Sequence, residues 1–457
     1  MRFTNLTRGL EIGANCYLLE TSGKKIVLDS GMHPKQEGEN ACPMFDLLEH
    51  GSVDAVVLSH AHQDHIGTLP LLLRDHPKAP VFMTEATRKL GGIMLHNSVN
   101  VMDRQREEIG ATQLFRHRDV EIGSKKWRAC PLEHPFSIHG ERLSSHSHHD
   151  TVSFEFFDAG HILGSVGTLI RAEGKRIFYT GDVNFEDQTI SRAATFPEEP
   201  VDVLIMETTR GDSPTPEGFT RANEQARLLA AIQEGLKREG CILIPVFALG
   251  KTQELLAMLY QMRKSGQIGA IPIYIGGLST KITCLYDELR SSTPRLLPNL
   301  KLMDCPTLQT LAGKDAGKTE LHDHRIYALS SGMMSEITLS NVFGRRVIDQ
   351  PDESIFFVGY ADPDSPAGQV RACSQGQLVQ LASHSAPQPL LCNKESFNFS
   401  AHSSRECLRE YAKKVQPKKI ILVHGDAPAM GWFKEVLGGD LPGTEIITPP
   451  PGDPIEL

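Results

Sequence analysis

The chain has 457 residues, 40% of them hydrophobic and 23% charged, with a formal net charge of −9. That length suits about two or three domains with buried cores, and the acidic balance excludes a uniformly basic nucleic-acid coat while leaving room for a local basic groove. No stretch is apolar for long enough to span a bilayer, the first five residues lack the apolar core of a signal peptide, and nine scattered cysteines without a Cys-x-x-Cys pair argue against a disulfide framework or thiolate-bound zinc. The expectation is a cytoplasmic protein with no membrane segment.

Residues 16–20 and 25–29 read as paired strands around a Ser22-Gly23 turn. Residues 54–58 form the next strand, and it runs straight into Ser59-His60-Ala61-His62-Gln63-Asp64-His65-Ile66-Gly67. Three imidazoles and a carboxylate within six positions are a donor set suited to a borderline-soft cation such as zinc. A lone histidine would carry no such meaning; this density on a turn between an apolar strand and a helix-like segment at 69–73 does. Alternation puts His60 and His62 on one side of the chain, and Asp64 and His65 come from the next bend, so one loop can feed two adjacent metals. His146, His148 and His149 form a separate tract, read as an exposed loop outside the site.

Further strands are expected at 152–157, 176–179 and 201–206. From about residue 210 helices (220–238, 252–263) alternate with strands (241–246, 272–275), the pattern of a parallel α/β sheet extending to about residue 390. Gly250-Lys251-Thr252 resembles the end of a phosphate-binding loop, but Pro245 stands where that motif needs glycine. A strand at 418–423 ends in His424, behind a basic cluster (Lys413, Lys414, Lys418, Lys419) that reads either as a solvated face or as an RNA-facing patch. Other strand ends carry Gly160-His161, Gly181-Asp182 and His424-Gly425-Asp426, and a further segment carries Ser400-Ala401-His402. Singly, each has a dull reading as a turn or a structural histidine. With the first loop they suffice for two metals.

The order His-x-His-x-Asp-His, Gly-His, Gly-Asp, Val-His-Gly resembles the metallo-β-lactamase fold, and nearly the whole chain is similar to its nucleic-acid-processing branch, the β-CASP family. The resemblance implies an α/β protein: a metallo-β-lactamase αββα sandwich (1–208 and 394–457) with an inserted β-CASP α/β cap (209–393). The segment 77–142 is longer than a minimal sandwich needs, and no role is legible in it. Carried over by motif, His60, His62 and His161 bind a first Zn2+, Asp64, His65 and His424 a second, and Asp182 bridges them. Asp29 orients a ligand histidine, and His402, paired with Glu207, is the proton donor. Asp64 counts among the catalytic residues through its metal. Ser330, Ser331 and Gly332 resemble the family's phosphate loop, with a plain turn as the equal alternative; Lys281, Arg345 and Arg346 are weaker candidates for RNA contact. A histidine at position 424 is similar to the RNA-acting members. The implied function is a zinc-dependent ribonuclease, endo- or 5′-exonucleolytic, acting on single-stranded RNA, with a homodimer left open. The competing readings are a catalytically inactive RNA-processing scaffold, which would have lost several ligands, and a small-molecule hydrolase on the same fold.

Overall fold

The computed structural model describes residues 1–144, 152–311 and 316–457; the 146–149 histidine tract lies outside them. The chain divides into two compact units, one of Met1–Asp187, Arg192–Thr215 and His402–Leu457, the other of Gln188–Ser191 and Pro216–Ala401.

The first unit is built on two seven-stranded sheets among the described residues. One runs, edge to edge, Pro454–Glu456, Arg2–Asn5, Tyr17–Thr21, Lys24–Leu28, Ala55–Val57, Val81–Met83, Trp127–Ala129. The other runs Glu445–Ile447, Lys419–Val423, Val203–Glu207, Lys175–Tyr179, Val166–Ala172, Ser153–Asp158, Phe136–Ser137. Their central strands are continuous apolar runs because both faces are covered. Period-two alternation sends Leu19, Ile26, Leu28 and Val57 of the first sheet into one core with Ile177, Tyr179, Val203, Ile205 and Ile421 of the second. Leu18, Val27 and Val56 point the other way, onto a layer that includes Leu69, Leu72, Leu95 and Val99 of the helices Leu69–Asp75 and Glu85–Ile109. Leu204, Met206, Ile420 and Leu422 pack on Leu408, Ala412, Phe433 and Leu437 of the helices Arg405–Val415 and Ala427–Asp440. The layers are therefore helix, sheet, sheet, helix. Much of the 77–142 segment is the long helix Glu85–Ile109, capped by the Thr84 hydroxyl, and the helix His117–Ser124 beside it.

The second unit is a three-layer α/β body. Its six-stranded sheet among the described residues runs Leu308–Leu311, Ile273–Gly276, Ile326–Leu329, Ile242–Pro245, Ser354–Phe357, Asn393–Ser396, all parallel. Helices Arg221–Lys237 and Lys251–Lys264 cover one face, and Leu339–Val347 and Pro366–Ala372 the other. The short Gln188–Ser191 stretch joins this unit because buried Glu254 accepts the backbone N–H groups of Thr189, Ile190 and Ser191.

Among the described residues no helix is long and apolar enough to cross a membrane. All nine cysteines are free thiols. The basic cluster before His424 is neutralised: Lys413 pairs with Glu410, Lys414 with Glu198, Lys418 with Asp202 and Lys419 with Glu445. It is a salt-bridged face, and its charge is spent on neighbours of the same unit. Arg346 is likewise spent, donating to the carbonyls of Gly317 and Thr319 and lying over the Phe343 ring.

At the end of the strand Ser153–Asp158, burial pushes the Asp158 carboxyl up to about 6; Glu133 adds to this, and the Gly160 N–H and Arg192 oppose it. A raised carboxyl pKa stabilises the fold below the ordinary value, and that contribution is lost as the pH rises through about 6. Asp158→Asn keeps an oxygen for the Gly160 N–H. It should raise the melting temperature at pH 7–8 and leave it unchanged near pH 4, which thermal melts across that range will check.

Candidate metal centre

The donors collect at the ends of parallel strands in the first unit. Strand Lys24–Leu28 delivers Asp29, Ala55–Val57 leads to His60, Lys175–Tyr179 to Asp182, and Lys419–Val423 to His424. His62, Asp64 and His65 follow within the turn and the short helix Gln63–Ile66. Two glycines make room. Gly160, with φ +66, sits where a Cβ would meet the Arg192 and Asn184 carbonyl oxygens at 2.6 Å, so only glycine lets the chain turn into His161. A Cβ on Gly31 would be driven into the Asp64 carbonyl, so the Asp64 backbone rests directly on residue 31. Asp29 and His424 hold left-handed backbone, with φ of 58 and 50, a conformation that non-glycine residues adopt mainly where surrounding structure over-determines it.

Two donor groups result. His60 Nε2 and His161 Nε2 lie 3.0 and 3.1 Å from His62 Nδ1, and Asp182 Oδ2 is 3.5 Å from His60 Nε2 and 3.6 Å from His161 Nε2. In the other group His424 Nε2 is 3.3 Å from both His65 Nε2 and Asp64 Oδ2, and Asp182 Oδ1 is 3.3 Å from His65 Nε2. Four donors held about 2.0–2.2 Å from one tetrahedral zinc stand about 3.3–3.6 Å apart. The observed spacings, 3.0–3.6 Å in the first group and 3.3–3.7 Å in the second, lie within a few tenths of an ångström of that requirement, and the two Asp182 oxygens face one group each. Asp182 Oδ1 is buried with no hydrogen-bond partner. A buried carboxylate oxygen left this way is costly unless a cation meets it. The donor set thus fits metal binding.

Electrostatics agree. Burial alone would raise the Asp182 carboxyl, but His424, His65, His402 and His60 outweigh it and hold it well below the usual range. Asp64 is held low in the same way, burial being overcome by His65 and His424. Burial pushes His60 well below the ordinary imidazole value, which leaves it neutral with a lone pair to offer.

Hydroxyls and one carboxylate set the tautomers. Asp29, fully buried, accepts from Ser59 Oγ, His65 Nδ1 and Tyr179 Oη on one oxygen (2.7, 2.7 and 2.5 Å) and from the Ser59 N–H on the other (2.7 Å). His65 Nδ1 is therefore the protonated nitrogen and Nε2 is free to ligate. Ser59 Oγ, already donating to Asp29, accepts from His60 Nδ1 at 3.0 Å. Thr209 Oγ1 lies 2.8 Å from His424 Nδ1 and does the same for that ring. Buried Asn15 donates its amide to the Asp64 carbonyl at 3.0 Å, clamping that backbone. Ser59, Thr209, Tyr179 and Asn15 escaped the sequence reading. Ser59 and Thr209 adjoin motif residues, the one signal available for them; the other two carry none. Buried Glu207 accepts from Val183 N at 2.7 Å and lies 3.1–3.2 Å from His402 Nδ1, leaving His402 Nε2 3.9 Å from Asp182.

The remaining sequence candidates lie in the second unit. Ser330, Ser331 and Gly332 form a turn after the strand Ile326–Leu329; Ser340 N donates to the Ser330 carbonyl and Ser340 Oγ to the Ser331 carbonyl. Lys281 is exposed on the helix Leu278–Glu288.

Three models of known families match successive parts of the chain. The metallo-beta-lactamase superfamily model matches residues 10–233, the Beta-Casp domain model residues 252–370, and the model described as a Zn-dependent metallo-hydrolase RNA specificity domain residues 387–449. The chain belongs to the β-CASP branch of the metallo-β-lactamase superfamily. It is 28% identical to "Cleavage and polyadenylation specificity factor subunit 3" of Dictyostelium discoideum, over 98% of this chain and 56% of that protein. It is 29% identical to "Cleavage and polyadenylation specificity factor 73" of Drosophila melanogaster, over 94% of this chain and 61% of that protein. Thus the chain spans little more than half the length of these two relatives. With "Probable RNase MJ4" of Methanocaldococcus jannaschii it shares 27% identity over 98% of both chains. A crystal structure of a protein of unknown function from Enterococcus faecalis V583 has the same fold, with a TM-score of 0.57 at 14% identity over 100% of this chain and 99% of that one. Family and donor cluster together make this a metal-dependent hydrolase fold.

Thr209→Val keeps the side-chain shape and removes the hydroxyl. It should weaken cation binding in the Asp64, His65 and His424 group about 10- to 100-fold while leaving the His60, His62 and His161 group occupied; Thr209→Ser should restore it. Metal content after dialysis against chelators of graded strength will show whether the loss is confined to one group.

Proposed function

We propose that the chain is a zinc-dependent ribonuclease that hydrolyses single-stranded RNA. The observation that carries this reading is the two donor groups, one of His60, His62, His161 and Asp182 and one of Asp64, His65 and His424 with the other Asp182 oxygen 3.3 Å from His65, beside an imidazole held by a buried glutamate. Two Zn2+, held by His60, His62 and His161 and by Asp64, His65 and His424 with Asp182 between, would supply a water ionised near pH 7 and polarise a phosphoryl oxygen. The chain's own residues do the rest. Glu207 is pinned by the Val183 N–H and in turn pins His402 Nδ1, so Nε2 faces the donor cluster. Burial lowers the His402 pKa, but Glu207 and Asp182 outweigh it and raise it above the ordinary imidazole value, which favours the protonated ring. That proton goes from Nε2 to the departing 3′ oxygen. Asp29 and Thr209 keep the ligand rings in register, which is a positioning role. The loop of Ser330, Ser331 and Gly332 offers close backbone approach to a phosphate, and Lys281 a further charge.

The similarity to "Probable RNase MJ4" of Methanocaldococcus jannaschii and "Endoribonuclease ysh1" of Schizosaccharomyces pombe supports RNA as substrate. All the ligand positions are filled, which weighs against an inactive scaffold. Nine free thiols fit a reducing, cytoplasmic setting.

His402→Ala should abolish RNA cleavage by a factor of at least about 100 while the protein keeps its full zinc complement. Cleavage of 5′- and 3′-labelled RNA by the wild-type chain, run on fractions of known oligomeric state, separates endonucleolytic from 5′-exonucleolytic action. Undiminished cutting by His402→Ala would reject the acid assignment, and no cutting by zinc-loaded wild type would reject the function.

A further inference from the structure

The connections of the cap sheet diverge at one place. Strand Ile242–Pro245 leaves through the helix Lys251–Lys264 on one face and reaches Ile273–Gly276, crossing over the strand Ile326–Leu329. Strand Ile326–Leu329 leaves through Leu339–Val347 on the other face and reaches Ser354–Phe357, crossing over Ile242–Pro245. The two strands are neighbours, paired in parallel. Outgoing loops that part to opposite faces open a crevice at the carboxyl edge of a parallel sheet, the position where such sheets bind ligands.

A shallow, solvent-open hollow lies there, lined by Phe247, Lys251, Gly332 and Tyr360 among others. Gly332 is shaped to it: a Cβ would come within 3.0 Å of the Phe247 ring. Tyr360 is 63% exposed, high for so large a ring. It is not loose. Its hydroxyl donates to Asp362 Oδ2 at 3.2 Å, Asp362 is only 7% exposed, and the Asp362 N–H donates to Met333 Sδ at 3.3 Å. The ring is thus braced against the residue that follows Gly332. Lys251 donates to the Phe399 carbonyl, and Arg371, over the Phe357 ring, donates to the Gly359 carbonyl at 3.3 Å. A fixed, exposed aromatic ring beside cationic side chains is the equipment with which proteins hold the bases of single-stranded nucleic acids, without selecting among them.

We propose that this hollow is a nucleobase subsite, in which one unpaired base of the RNA stacks on Tyr360 with its flanking phosphate toward Lys251. The inference rests on the ribonuclease reading and deepens it. It assigns Tyr360 to substrate affinity and to no part of the chemistry.

The test scans a single abasic nucleotide along a short RNA. With the wild-type chain, one position relative to the cut should raise KM about 5- to 100-fold and leave kcat unchanged. Tyr360→Ala should raise KM for the intact RNA by that same factor, and the abasic substitution should then add nothing further. Tyr360→Trp should restore both behaviours. Because Tyr360 is exposed, unchanged melting temperatures are expected for each variant. Independent, multiplying effects of the two changes, a Tyr360→Ala enzyme with normal KM, or no abasic-sensitive position would each overturn the subsite. If the wild-type chain cuts no RNA, the ribonuclease reading fails separately. An oligonucleotide carrying 2-aminopurine still decides the subsite: quenching on binding that disappears in Tyr360→Ala supports it, and quenching equal in both chains, or absent from both, overturns it.

Discussion

Asp182 sets the terms for the first unit. Its carboxylate is 2% exposed and lies within 4 Å of His60, His65, His161, His402 and His424, with one oxygen unpaired. Removing a carboxylate from water costs several kcal/mol even after relaxation, on the order of what a whole domain has in reserve. The arrangement survives only because charge of the opposite sign converges on it. Imidazole nitrogens 3.0–3.3 Å apart add a second demand, since lone pairs aimed at one another need a proton or a cation between them. The hydroxyl and carboxylate contacts at Nδ1 of His60 and His65 fill the opposite side of those rings. They direct the remaining nitrogen inward, so the demand is for a cation.

The fold answers that demand through strand ends. Side chains inside a doubly covered sheet are restricted to apolar types by burial on both faces, as the runs Ile420, Ile421, Leu422 and Val423 illustrate. Chemistry can begin only where a strand stops. His424 follows Val423 directly, and Asp29 follows Leu28 directly, both in left-handed backbone that turns the side chain back over the sheet edge. The sandwich core below is therefore the reason that donors from positions as far apart as 29 and 424 meet.

What could be read in advance follows from the same physics. The apolar strands at 54–58, 201–206 and 418–423 are visible as continuous hydrophobic runs, and the donors beyond them are visible by residue type. The parallel character of the 242–396 region was legible because helices alternate with strands there. The long helix Glu85–Ile109 was not: with glycines at 91 and 92 and a weak apolar stripe, its sequence carries little period, and packing against the first sheet holds it. Nor was the basic cluster at 413–419 interpretable, since its acidic partners, Glu198, Asp202 and Glu445, lie elsewhere in the chain. Ser59, Thr209 and Asn15 are ordinary polar residues; only their distances to His60, His424 and Asp64 give them meaning.

Chain order bears on the proposed proton donor, His402, in a way that composition does not. The first unit is left at Thr215 and rejoined at His402, and the contact between Glu207 and His402 spans that excursion. The proposed ligand set is nearly complete before Thr215, since only His424 follows the return. A cap that failed to fold would leave His60, His62, Asp64, His65, His161 and Asp182 on a short stretch of the sandwich, while His402 would sit at the end of a long unconstrained loop. Closing such a loop costs entropy that rises only slowly with its length, but fixing an imidazole to within a few tenths of an ångström of a proton-transfer geometry is far more demanding. Among the described residues, the Ser403 N–H donates to the Val183 carbonyl and the Phe185 N–H to Ser403 Oγ, and Val183 is the residue whose own N–H pins Glu207. The chain is therefore stitched back beside the carboxylate that orients the ring, which makes the proposed acid the part of the centre most dependent on an ordered return from the cap.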